Sequence, residues 1–227
     1  MIMKNGYLDG IKGGPVFWID SADSEPCIGT AGAIQWTLKA EGKLFHSGLP
    51  HKGINSLEFA TDAMAEIQRR FYADHPETEE EIKYMFSTPS TMKPTKIAGP
   101  DNSVNQLPPW IEIQGDIRLT PFYNVEECMR TVDGYIADIN SRPQHLPTRG
   151  PASKYVITEE DGNVLKAKLT MTWPDDPMKG IACHLDSPGY HALVGATKFV
   201  KGAAKPCELH RPTGGSLCIL LYLRARV

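Results

Sequence analysis

The sequence predicts a mixed α/β chain of the α+β kind: one antiparallel sheet with two helices on a single face, flanked by incomplete pieces of a second unit. Three observations carry that expectation. Two segments alternate apolar and polar residues with the period of a half-buried strand, Ile34-Trp36-Leu38 and Ile111-Ile113-Ile117-Leu119. Two others repeat apolar residues every three or four positions, as amphipathic helices do, from Leu57 to Phe71 and from Val125 to Ile139. In chain order the regular segments run strand, helix, strand, strand, helix, strand.

Residues 1–32 are rich in Gly and turn formers around one apolar island, Val16-Phe17-Trp18-Ile19, which reads as a short buried strand ending at Asp20. A half-buried strand follows from Ala33 to about Glu41. After the polar turn GKLFHSGLPHKGIN comes a helix with Leu57, Ala60, Met64, Ile67 and Phe71 on one face. Asn55 or Ser56 can cap it, and Glu58 suits its first turn. Residues 76–81 read as an acidic, solvated run, and Ile82 to Ser87 as the second strand. The Pro-rich stretch from Thr88 to Pro109 reads as a connection. The third strand is the clearest: Glu112, Gln114, Asp116, Arg118 and Thr120 oppose its apolar face. Val125, Cys128, Met129, Val132, Tyr135, Ile136 and Ile139 make the second helix. Residues 142–151 read as a linker, Lys166 to Trp173 as the fourth strand, and Tyr190 to Lys201 as a last helix. This is the βαββαβ order of a ferredoxin-like unit. The expected division is 1–32, 33–175 and 176–227, the outer parts being too short for domains of ordinary size.

Composition narrows the function classes. Of 227 residues, 41% are apolar and 22% charged, with a net charge of -3 and a pI near 6.2. That is globular composition without the basic footprint of a nucleic-acid or acidic-membrane partner. The polar strand face carries acids and no exposed aromatic pair, contrary to a base-stacking platform. The five cysteines are odd in number and contain no C-x-x-C pair, which suits reduced thiols in a cytoplasmic setting. Neither a signal-peptide core nor an apolar run of membrane-spanning length is present in the sequence. The apolar part of CILLYLRARV suits a buried strand or helix.

The chemically informative segment is residues 42–55. His46 and His51 lie five apart on a turn, but zinc needs at least three protein ligands and no third is near. The catalytic alternative aims His46 at a reacting carbonyl from the short Ser47-Gly48 turn; the plain alternative is a surface turn.

The run from Trp36 to Asn55, W-x-L-x-x-x-G-K-x-x-H-S-G-L-P-H-x-x-x-N, resembles the lid domain of the acetylornithine deacetylase, succinyl-diaminopimelate desuccinylase and glutamate carboxypeptidase family of zinc metallohydrolases. Further matches follow in order: WIDSAD at 18–23, FSTPSTMKPT at 86–95, NQLP at 105–108, GDIRLTPFY at 115–123, RGPASKYV at 149–156 and LDSPGYH at 185–191. They are most similar to the eukaryotic, plant-type acetylornithine deacetylase branch.

The resemblance implies hydrolysis of an N-acyl amino acid, foremost N-acetylornithine to ornithine and acetate in arginine biosynthesis, by a homodimer paired through its lid. It implies two zinc ions, with cobalt a known type of substitute, that activate a bridging water. His46 matches the lid histidine that reaches into the other subunit's site and donates to the oxyanion, a role worth roughly 3 kcal/mol per donor. Asn105 and Arg118 match residues expected to hold the substrate carboxylate, which an Arg fork fits bidentately. For Arg118 the alternative is an intra-strand pair with Asp116 or Glu112. Asp20 matches an acidic zinc ligand, with Asp23 its competitor. The family's remaining ligands and its general-base glutamate find no match. His184-x-Asp186, Glu79-Glu80-Glu81, Glu126-Glu127 and Glu159-Glu160 lie in turns, solvated runs, a helix start and a linker. The expectation is therefore a chain that does not hydrolyse the substrate alone, with a non-catalytic dimerisation or interaction module as the second reading.

Overall fold

A computed structural model describes residues 17–20, 25–86, 88–147, 150, 154–208 and 218–221. Its elements are β1 (Phe17–Asp20), β2 (Pro26–Thr30), β3 (Gly32–Glu41), β4 (Phe45–His46), α1 (Ser56–Asp74), α2 (Glu79–Lys83), β5 (Thr91–Ala98), β6 (Gln106–Leu107), β7 (Trp110–Leu119), α3 (Val125–Ser141), β8 (Val156–Thr158), β9 (Val164–Lys166), β10 (Lys168–Thr172), β11 (Ile181–Ala182), α4 (Pro188–Lys201), β12 (Cys207–Glu208) and β13 (Cys218–Leu221).

The two alternating segments become the central strands of a four-stranded sheet ordered β10-β3-β7-β5. Each neighbouring pair is antiparallel. Ile34, Trp36, Leu38, Ile111, Ile113, Ile117 and Leu119 are buried beneath α1 and α3 in one continuous core. From α1 that core receives Phe59, Ala60, Ala63, Met64, Ile67 and Phe71. Leu57, expected on this face, is 42% exposed, and Phe59 fills the position instead. Asn55 caps α1 as expected, its side chain accepting from the backbone of Leu57 and Glu58. Gly115 is required at the sheet centre: a Cβ there would stand 2.1 Å from the Lys93 carbonyl and 2.4 Å from the Trp36 ring.

The second strand is not where alternation places it. Among the described residues, 82–86 do not form it; Glu79–Lys83 is a helical turn with a capping box, in which Thr78 and Glu81 each bond the other's backbone N–H. Glu81 is fully buried, so the acidic run is not solvated throughout. The strand is β5, inside the stretch read as a connection. It escapes a periodicity search because only Met92 along it is buried. Pro94 is tolerated because β5 is a sheet edge and the register shifts between Pro94 and Lys96. The Glu159-Glu160 pair, read as linker, lies in the turn of a hairpin made by β8 and β9.

The flanking segments join in a second sheet. β1 pairs antiparallel with β13, β13 runs parallel to β2, and β11 and β12 also pair with β2. Ile28, Cys183 and Leu193 form its small core, lined by Tyr84, Leu185 and Tyr190. The two sheets meet across tight backbone contacts. A Cβ on Gly32, the first residue of β3, would lie 2.5 Å from the Met178 carbonyl and 2.8 Å from the backbone N of Gly180, just ahead of β11. Phe122 wedges against Tyr84 and Phe86 at the same junction, with ring centroids 5.1 and 5.7 Å apart. Among the described residues no helix is long and apolar enough to cross a membrane.

Candidate functional site

Segment 42–55 leaves the end of β3 and returns to the start of α1. Its base is closed by paired backbone bonds between Lys43 and Ile54, 2.9 and 3.0 Å. Within it, β4 pairs with β6, His46 lying opposite Gln106, and the Ser47 N–H donates to the Asn105 carbonyl at 2.8 Å. Two residues far apart in the chain thus meet at one exposed tip.

The Gly48 N–H donates to Nδ1 of His46 at 2.9 Å. A neutral imidazole whose Nδ1 accepts carries its proton on Nε2. That Nε2 is 3.4 Å from Nδ2 of Asn105. Both atoms are then donors, so they do not satisfy one another. Two neighbouring donors of this kind suit a single negatively charged oxygen. Gly48, named in the sequence as part of the turn that aims His46, also leaves room for the ring: a Cβ there would stand 3.0 Å from Nδ1 and 3.1 Å from Cε1. Leu44, Leu49 and Val104 are exposed beside the pair, Val104 completely. An exposed apolar rim around unpaired donors suits a site closed by another surface.

Arg118 lies elsewhere. It is opposite Ala33 and Thr91, at the far end of β7 from Trp110. At about 3.3 Å per residue the strand separates it from the His46 end by roughly 25 Å. Its Nε donates to Asp116 at 2.7 Å, the intra-strand pair named above. With Arg118 45% and Asp116 28% exposed, such a pair contributes about 0–1 kcal/mol and leaves the guanidinium able to take a stronger partner. Asp20 ends β1 opposite Cys218; its side chain lies outside the described residues. Among those residues no three His, Cys, Asp or Glu side chains converge to hold a metal ion, so they do not fit a zinc centre. Buried thiols supply no alternative nucleophile: burial pushes Cys128 up to about 12 and Cys183 up to about 11.

Known proteins resemble this chain in sequence and in fold. Residues 28–142 match the M20 peptidase dimerisation domain. The chain is 49% identical to an acetylornithine deacetylase of Arabidopsis thaliana over 209 residues, 92% of this chain and 47% of that protein. It is 45% identical to an acetylornithine deacetylase of Dictyostelium discoideum over 203 residues, 89% and 45% of the two chains. It therefore spans about half the length of these curated relatives. Among solved structures, an amidase of the hydantoinase/carbamoylase family from Burkholderia phymatum superposes with a TM-score of 0.56. That match, at 11% identity, covers 86% of this chain and 42% of the amidase, and speaks to the fold alone. This chain belongs to the M20 family and carries its peptidase dimerisation domain.

Proposed function

We propose that this chain supplies the oxyanion-binding and carboxylate-binding groups of an amidohydrolase acting on N-acetylornithine. The observation that carries the reading is that Nε2 of His46, its Nδ1 occupied by the Gly48 N–H, lies 3.4 Å from Nδ2 of Asn105 at one exposed tip. Attack on an amide carbonyl places negative charge on its oxygen, and two fixed donors stabilise that oxygen more than the neutral carbonyl. The substrate class comes from two relatives named acetylornithine deacetylase that align along most of the chain.

The roughly 25 Å of sheet between the donor pair and Arg118 gives the reading its geometry. One small amino acid cannot touch both within a chain. A two-fold homodimer through the lid brings His46 and Asn105 of one subunit toward Arg118 of the other. The zinc pair implied by the resemblance finds no ligand set among the described residues. The chemistry assigned to this chain is therefore limited to orienting the substrate carboxylate and holding the developing oxyanion. On this reading the purified 227-residue protein releases no ornithine from N-acetylornithine, with or without added zinc.

A phosphinate analogue of the tetrahedral intermediate tests the donor role directly. Titrated into 15N-labelled protein, it is expected to shift Ser47, Gly48 and the Asn105 side-chain amide, and to lose that effect in His46→Ala. Shifts confined to other regions, or shifts unchanged in His46→Ala, contradict the proposal. Zinc-dependent release of ornithine by the chain alone contradicts its division of labour.

A further inference from the structure

The loop carrying His46 is closed at its base by Lys43 and Ile54 and paired along one side with β6; its flanks also receive a side-chain contact from outside. That contact comes from the β8–β9 hairpin, more than a hundred residues later. One oxygen of the Glu159 carboxylate bonds the Lys43 ammonium, and the other accepts from the Asn163 side chain at 3.3 Å. The neighbouring Glu160 bonds Lys52 at 3.1 Å. Lys43 precedes His46 and Lys52 follows it, so the acidic turn grips both flanks of the loop.

The hairpin is itself anchored. Its turn is closed by Glu159 N–H to Asn163 O at 2.8 Å and Gly162 N–H to Glu159 O at 2.9 Å. Gly162 sits at φ +85, where a side chain would be strained. At its base Ala167 N–H bonds the Tyr155 carbonyl at 2.8 Å. The Tyr155 ring is 1% exposed, packs 5.0 Å from the Phe59 ring, and its hydroxyl donates to Asp62 of α1. A rigid path thus runs from the helical core through the hairpin to Lys43. The hairpin lies outside the residues matched by the dimerisation domain, 28–142.

We infer that Glu159, acting through Lys43, is a positioning residue that fixes the orientation of His46. The inference rests on the reading of His46 as an oxyanion donor. Of the two pairs, Lys43–Glu159 dominates. Its side chains are 30% and 28% exposed against 45% and 91% for Lys52–Glu160, and a well-screened pair contributes little.

The test is NMR on the full 227-residue protein, which needs neither substrate nor metal. Glu159→Gln keeps the size of the side chain and removes its charge. It is expected to speed amide exchange at Ser47 and Leu49 about five-fold, the ratio that corresponds to a partly buried ion pair. The His46 ring nitrogens are expected to move from the Nε2–H signature toward a tautomer mixture, while exchange at Ile113 and Ile117 stays unchanged. The charge swap Lys43→Glu with Glu159→Lys restores both readouts, and Glu160→Gln leaves them near wild type. Unchanged exchange and ring shifts in Glu159→Gln overturn the inference. So does acceleration spread evenly over the sheet, or a charge swap that fails to restore the ring signature. Because these readouts follow His46 itself, failure here leaves oxyanion binding untouched, and failure of analogue binding leaves the clasp untouched.

Discussion

The two ends of the four-stranded sheet are built for different tasks. At the outer end, His46 and Asn105 are exposed on a tip where their side chains come within 3.4 Å of one another and whose rim is apolar. At the inner end, Arg118 is already paired, and the backbone is packed against the approach to the second sheet through Gly32 and an aromatic wedge. On the proposed function the outer end is finished by something that arrives, whereas the inner end is packed within the chain. His46 and Asn105 lie beyond the Trp110 end of β7 and Arg118 near its other end, so the strand holds the two proposed groups apart. The contrast therefore points to assembly between chains.

The sharpest way to break this comparison is to disturb one end at a time. A Cβ at Gly42 would lie 2.3 Å from the Ile54 carbonyl, and one at Gly32 would lie 2.5 Å from that of Met178. Gly42→Ala and Gly32→Ala should each destabilise the protein by about 2 kcal/mol in urea unfolding. Only Gly42→Ala should also erase the Gly48–His46 hydrogen bond, read from the Gly48 amide proton. If Gly32→Ala erases it equally, the ends are not independent.

A weaker effect comes from acid. The Glu66 carboxyl is held at about 2 by hydrogen bonds and charge from Arg69 first and then Arg70. Its folded value lies below the ordinary 4.5, so its stabilisation is complete above that pH and is lost as pH falls toward 2. Glu66→Gln should remove about 1–2 kcal/mol at pH 7 and nothing near pH 2, measured by urea unfolding. The Gly48 amide signature should not follow this loss at pH 7, because Glu66 belongs to the helical layer rather than to either end.

Smaller still is Met85, which has φ 54 just beyond α2 and a side chain 57% exposed. Met85→Gly should stabilise the inner end by about 0.5–1 kcal/mol, seen as a raised thermal midpoint. The smallest stability change belongs to Gly48→Ala, within about 0.5 kcal/mol at so exposed a position. It should nevertheless displace the His46 ring and abolish analogue binding.

What the sequence made legible follows from burial. β3, β7, α1 and α3 each present one face to a single core, so period and cap could be read directly, down to Asn55. β5 could not be read, because an edge strand with only Met92 buried has no period to display. The α2 turn misled because Ile82 and Met85 look like core residues and are 61% and 57% exposed, whereas Glu81 is buried. His46, Asn105 and Arg118 were legible as motif residues. Their separation into two ends was not, since it depends on strand register. The Lys43–Glu159 contact has no local signature, because it joins residues 116 positions apart.

The central claim is that donor pair and carboxylate clamp meet only between subunits, and mixed dimers test it most directly. His46→Ala and Arg118→Ala proteins are prepared separately, mixed under conditions that exchange subunits, and assayed for binding of the phosphinate analogue. Each variant alone should bind none. In a random mixture half the dimers are hybrid and each hybrid keeps one intact composite site, so about one quarter of wild-type binding capacity should return. If His46 and Arg118 serve the same site from the same chain, the hybrid has no intact site, and the mixture binds nothing.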